Sequence, residues 1–283
     1  MITPATLRRA VSAALEEDAP WGDVTSTALL PASAHATADL VARESGVFSG
    51  GEVFAAAFTL TDADVRVDLH VADGDRFAAG DALASVSGRA RSLLTAERVA
   101  LNFTQRMSGI ATLTATFVDA VDGTGVRIAD TRKTTPGLRE FERHAVVSGG
   151  GSNHRRSLSD AVMAKDNHLA VLRQSGRDLA TALREALSRL PHTTHVVVEV
   201  DRLDQIPAVL DGGADTVLLD NFSLDDLRAG VALIAGRAVV EASGGVTPET
   251  VRPIAETGVQ VISVGALTHS ARAVDLGLDL RID

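Results

Sequence analysis

Arg132 and Lys133, in the segment TRKTTPGLR (131–139), and His154 and Arg155, in GGGSNHRR (149–156), are cations of the kinds that hold carboxylates and phosphates. Between Thr131 and Arg156 stand six Lys or Arg against two Glu, in a chain of 283 residues whose net charge is −10. Lys165 adds a further cation behind the apolar run AVMA. Carboxylates follow in the same position of later runs: Glu199 and Asp201 close HVVVEVD, and Asp220 closes TVLLDN. The last runs end in small residues, Ser243-Gly244-Gly245 and Gly265-Ala266. Guanidiniums bind planar anions bidentately. One or two carboxylates hold Mg²⁺ together with substrate phosphate oxygens. Glycine turns at a helix N-terminus offer N–H groups to a phosphate. Taken together these residues describe a site for a polyanionic acid and a Mg²⁺-bound phosphorylated sugar.

Something must bring these run ends to one place. From Gly125 onward short apolar runs recur, with helical patterns at about 178–190, 203–211, 224–235 and 248–257 between the later ones. Buried strands alternating with helices imply parallel βα units, and in a βα barrel the carboxyl ends of the strands share one mouth. Too few runs fit for eight strands. The expected fold is therefore α/β, an incomplete α/β barrel of six or seven parallel strands, although spacing alone leaves an open doubly wound sheet as an alternative. The first hundred residues read differently: a helix at about 4–17, then alternating segments near 35–43, 64–71 and 82–87. Residues 71–88 have the look of a carrier hairpin but contain no lysine to modify, so they read as structural. From Arg91 to Met107 the residues Leu93, Ala96, Ala100, Phe103 and Met107 form one helical face, and Arg98 falls off it. A solvated arginine is the plain reading of Arg98, and an exposed charge stripe the plain reading of Arg139, Glu142 and Arg143. SGG alone is a plain turn.

Composition narrows the classes further. The chain has no cysteine, which removes disulfides, thiolate metal sites and a cysteine nucleophile. No His pair has helical metal-ligand spacing, and neither G-x-S-x-G, G-x-G-x-x-G after a strand, nor a P-loop occurs. No apolar run is long enough to span a bilayer, and the N-terminus reads as an amphipathic helix rather than a signal peptide. A cytoplasmic protein is expected. The acidic balance and few aromatics argue against nucleic acid.

The residues that suggest this chemistry also carry a resemblance. ADTRKTTPGLREFERHAVVSGGGSNHRRSLSDAVMAKDNH (129–168) resembles the signature of the quinolinate phosphoribosyltransferases, or carboxylating nicotinate-nucleotide pyrophosphorylases. EDAPWGDVTS (17–26), ERVALNFTQRMSGIAT (97–112), VEVD (198–201), LLDN (218–221), EASGGV (241–246) and SVGALTHS (263–270) follow in the family's order. The chain departs where the family has Glu-Lys-Tyr-Ala, having Glu142-Arg143-His144-Ala145, and where it has Gly, having Ser157.

The resemblance implies an N-terminal α/β sandwich domain (1–109, with 268–283 packing back on it) and a barrel catalytic domain (110–267). It implies transfer of phosphoribose from phosphoribosyl pyrophosphate (PRPP) to quinolinate with loss of CO2, in NAD biosynthesis, with Mg²⁺. It also implies a homodimer with shared sites, Arg98 reaching the neighbour's. On this reading Arg98, Arg132, His154, Arg155 and Lys165 take quinolinate. Lys133, Glu199 and Asp220 are catalytic and bind PRPP, with Glu199 and Asp220 at the metal. Ser243, Gly244, Gly245, Gly265 and Ala266 cradle the 5′-phosphate. A non-decarboxylating nicotinate phosphoribosyltransferase, a molybdate-transport-linked relative and a non-catalytic phosphate-sugar binder are the alternatives.

Overall fold

The computed structural model describes residues 2–174 and 176–282. The elements run in the order α1 (Pro4–Asp18), α2 (Val24–Leu29), β1 (His35–Ala42), β2 (Gly46–Val47), α3 (Gly51–Thr61), β3 (Arg66–Leu69), β4 (Arg76–Phe77), β5 (Ala82–Arg89) and α4 (Ala90–Ala120). Then follow β6 (Arg127–Ala129), α5 (Arg139–Ser148), β7 (Val162–Ala164), α6 (Asp166–Arg173), α7 (Leu179–Leu187), β8 (Val196–Val200), α8 (Ile206–Asp211) and β9 (Thr216–Asp220). The chain finishes with α9 (Leu224–Ile234), β10 (Val239–Ser243), α10 (Val251–Ala255), β11 (Val261–Ser263), α11 (Ala266–His269) and β12 (Leu276–Ile282). They form two units that are not consecutive in sequence. One gathers residues 1–115, 134–150 and 267–283, the other 116–133 and 151–266.

In the first unit β12, β1, β5 and β3 lie in that order in one sheet, with β1 antiparallel to both β12 and β5. β1 shows the half-buried alternation of such a sheet: Ala36, Ala38, Leu40 and Ala42 are buried, and Thr37, Asp39 and Val41 between them are half-buried. Helix starts are set by local chemistry. Thr3 caps α1 with Pro4 in its first turn, and Asp23 caps α2 by accepting the Ser26 N–H at 2.9 Å. α4 buries Leu93, Ala96, Ala100 and Met107, and continues well beyond Met107. α3 had no counterpart among the sequence expectations.

The expected exposed charge stripe on α5 is corrected. Glu142 is buried, because Arg106 of α4 reaches it at 2.9 Å and Thr135 gives it a backbone N–H at 3.0 Å and a hydroxyl at 2.8 Å. A carboxylate so supplied is stable away from water, which an unpaired one is not.

The second unit is the α/β barrel wall. Six parallel strands stand in the order β6-β11-β10-β9-β8-β7. Beginning at β7 the chain advances one strand at a time to β11, and β6 flanks the last of these. A single parallel bridge, Ala129 to Ser152, extends the β6 edge. Among the described residues no ladder joins β7 to β6, so the wall stays incomplete. β8 and β9 are apolar and buried nearly end to end, as strands covered on both faces must be. The helix expected at 248–257 is shorter, since α10 holds only Val251–Ala255.

Candidate active site

The carboxyl ends of the barrel strands carry the site. Just after β6 the Thr131 hydroxyl accepts the Lys133 N–H at 3.1 Å, a local turn that leaves Lys133 exposed. Arg132 and Arg155 are brought close. Burial, and next the charge of Arg132, push the Arg155 guanidinium below its usual range, with Asp160 opposing. Arginine keeps its charge regardless, so partial burial and a neighbouring cation disfavour that charge without removing it. The Arg155 Nη1 also donates to the Ala161 carbonyl at 3.0 Å.

His154 sits against two buried carboxylates, Asp130 and Glu241. Its backbone N–H donates to Asp130 at 2.7 Å, and its Nδ1 accepts the Arg155 N–H at 2.7 Å. Its Nε2 lies 3.3 Å from Glu241. Glu241 is buried on β10 and also accepts the Ser263 hydroxyl. Asp130 and Glu241 were not among the site residues expected from sequence. The signal was present: a carboxylate inside AVVEAS, and another closing VRIAD, sit in runs otherwise apolar, where an acid is rare without a partner.

Next along the wall Lys165, at the N-cap of α6, pairs through Nζ with Glu199 of β8. Asp220, ending β9, accepts the Ser243 hydroxyl at 2.6 Å and the Asn221 amide at 2.8 Å. Asn221 has φ 58°, and its N–H donates to the Ser243 carbonyl at 2.9 Å. Gly244 follows with φ 102°, and a Cβ there would lie 2.1 Å from Asn221 Oδ1. Only glycine fits so close an approach in that conformation. Gly245 repeats the positive φ, at 58°, in the exposed turn. Gly265 and Ala266 leave β11 at the start of α11.

Thus one unit brings together Arg132, Lys133, His154, Arg155, Lys165, Glu199, Asp220, Ser243, Gly244, Gly245, Gly265 and Ala266. Arg98 belongs to the other unit, exposed on α4, and is not among them. Asp201 turns to Gln205, accepting its amide at 2.8 Å.

No group of three or more His, Asp or Glu suited to a metal occurs among the described residues. Glu199 and Asp220 are nonetheless hard oxygen donors at the ends of adjacent strands. That donor chemistry fits Mg²⁺, which takes one or two carboxylates and completes its shell with water and substrate phosphate.

The model of the quinolinate phosphoribosyl transferase N-terminal domain matches residues 23–108, and that of the C-terminal domain matches residues 110–279. The chain belongs to the quinolinate phosphoribosyl transferase family. The nicotinate-nucleotide pyrophosphorylase [carboxylating] of Mycobacterium leprae (strain TN) is 44% identical over 284 residues, 97% of this chain and 96% of that one. The probable nicotinate-nucleotide pyrophosphorylase [carboxylating] of Bacillus subtilis (strain 168) is 39% identical, covering 94% and 90%. The crystal structure of NadC from Streptococcus pyogenes superposes with a TM-score of 0.95 at 40% identity, over 100% of this chain and 99% of that one. Membership makes the chain an enzyme, a phosphoribosyltransferase, with the barrel and N-terminal domain of that family. No helix among the described residues is long and apolar enough to cross a membrane.

Proposed function

We propose that this enzyme joins quinolinate to PRPP, releasing pyrophosphate and CO2 and leaving nicotinate mononucleotide for NAD biosynthesis. The observation that carries the reading is the gathering of Arg132, His154, Arg155 and Lys165 in one unit, on the segments that follow β6 and β7. Several cations on one site suit a ligand with more than one negative charge, and quinolinate has two adjacent carboxylates. The Gly244-Gly245 turn, Ser243, Gly265 and Ala266 take the 5′-phosphate through hydroxyl and backbone N–H groups.

Glu199 and Asp220 hold Mg²⁺, which when bound neutralises charge on the pyrophosphate. Lys133, exposed beside the cluster, adds its own charge to that leaving group. The pyridine nitrogen attacks the ribose C1′ as the C1′–O bond to pyrophosphate breaks, and both electrons leave with the oxygen. Positive charge rises on the sugar, and the carboxylates of Glu199 and Asp220 favour it electrostatically. The product ring nitrogen is cationic. The bond to the adjacent carboxylate then breaks, CO2 departs, and its electron pair stays on the ring carbon next to that nitrogen until a proton replaces it. No protein nucleophile takes part, so catalysis rests on positioning and fixed charge.

The enzyme acts as a homodimer in this reading, with the partner subunit's Arg98 completing each quinolinate site. Exposed Arg98 and the exposed apolar residues Trp21, Val24 and Leu29 of the first unit support it. We place the reaction in the cytoplasm, in keeping with a cysteine-free chain and charged substrates.

Calorimetric titration tests the anion assignment. Quinolinate should bind at least about tenfold more tightly than nicotinate, and Arg155→Ala should remove most of that preference, since unpairing a charged contact costs about 2–5 kcal/mol. Equal affinity for the two acids, before and after the substitution, would contradict it.

A further inference from the structure

We infer that Glu241 is a positioning residue for quinolinate binding, acting on Arg155 through the His154 ring. Glu241 is buried on β10 and belongs to none of the groups assigned to substrate or metal. It is nonetheless a buried carboxylate in the middle of a strand, a costly residue to keep there without a task. Its oxygen faces His154 Nε2 at 3.3 Å and accepts the Ser263 hydroxyl. On the other side of the ring, Nδ1 accepts the Arg155 backbone N–H at 2.7 Å. A ring that accepts at Nδ1 carries its proton on Nε2, where a carboxylate stabilises it. Glu241 therefore selects the tautomer, and the tautomer determines whether Arg155 has a backbone acceptor.

The arrangement answers a specific need. Arg155 is half-buried, and both that burial and the like charge of Arg132 disfavour its own charge. Its side chain is tied to Ala161 at one nitrogen, and its main chain is tied to His154. His154 is in turn tied by its own N–H to Asp130 at 2.7 Å. The Ala161 carbonyl thus holds the guanidinium directly, while Asp130 after β6 and Glu241 of β10 hold it through His154. Such supporting contacts orient binding groups in the way that outer partners orient metal ligands.

This rests on the reading that Arg155 contacts quinolinate, so the experiment separates the two. In wild-type enzyme, ¹⁵N-edited NMR of the histidine rings should show His154 protonated at Nε2, and a ring protonated at Nδ1 would overturn the relay whatever the substrate. Glu241→Gln removes the charge and keeps the shape. It should raise KM for quinolinate about tenfold, leave KM for PRPP within about twofold, and change the His154 ring signals. Unchanged quinolinate KM, or equal rises in both KM values, would overturn the proposal. Arg155→Ala in the same assay reports on the underlying assignment: no effect there would sink the quinolinate subsite and leave the tautomer result standing.

Discussion

Lys133 is the clearest single-residue test of how the site works. It is exposed, and its backbone N–H is held by the Thr131 hydroxyl. Lys133→Ala should lower kcat by about 10²–10³, the loss typical of removing one preorganised charge-stabilising group, with the melting temperature unchanged. Near wild-type kcat would remove Lys133 from the leaving-group role. Legibility at this scale follows position. Lys165, Glu199 and Asp220 close apolar runs, so residue type and place in the sequence alone point to chemistry. Asp130 and Glu241 also stand in or at the end of apolar runs, so their position marks them as unusual without naming their task. They serve other protein groups, His154 above all, and partners 22 or more residues away are not named by any local pattern.

At the level of elements, α5 shows where local pattern misleads. Arg139, Glu142 and Arg143 have the spacing of an exposed charged face, yet Glu142 is buried against Arg106. Arg106 itself donates to the Ala271 carbonyl at 2.6 Å. The pair therefore ties α4, α5 and the segment after α11. Glu142→Ala leaves the Arg106 charge and the Thr135 N–H without their partner. It should destabilise the enzyme by about 3–5 kcal/mol, read by urea denaturation, and a loss below about 1 kcal/mol would show the pair to be dispensable. The barrel strands were legible because parallel strands buried on both faces are plainly apolar. α3 was not, because GEVFAAAFTLT offers alanine and threonine where a helix usually shows charge. The amphipathic contrast is thin even though Val53, Phe54, Ala57 and Phe58 are buried at helical spacing.

On the scale of the whole chain, the first unit depends on residues from both ends. β12 pairs with β1 along its length, from Ala36 with Ile282 to Ala42 with Leu276. Nearby, Arg272 grips Glu44 with two nitrogens, at 2.7 and 2.5 Å, and the Asp275 N–H adds a third bond at 2.8 Å. Hydrogen bonds from Arg272, then from Asp275, lower the Glu44 carboxyl from 4.5 to about 2. A carboxyl depressed on folding stabilises above its unfolded value and loses that contribution as pH falls toward its folded one. Glu44→Gln should therefore lower the melting temperature at pH 7, and the gap should close between pH 4.5 and about 2. A gap constant across that window would contradict the assignment. The return of the chain end was expected from family likeness, whereas this ion pair joins residues 228 apart and no sequence window contains it. The central claim concerns what the assembled enzyme makes. Purified protein with Mg²⁺, PRPP and quinolinate labelled in the carboxyl next to the ring nitrogen should release one labelled CO2 for each nicotinate mononucleotide formed, and nicotinate in its place should give no product. Mononucleotide from nicotinate, with no CO2 from quinolinate, would contradict the account.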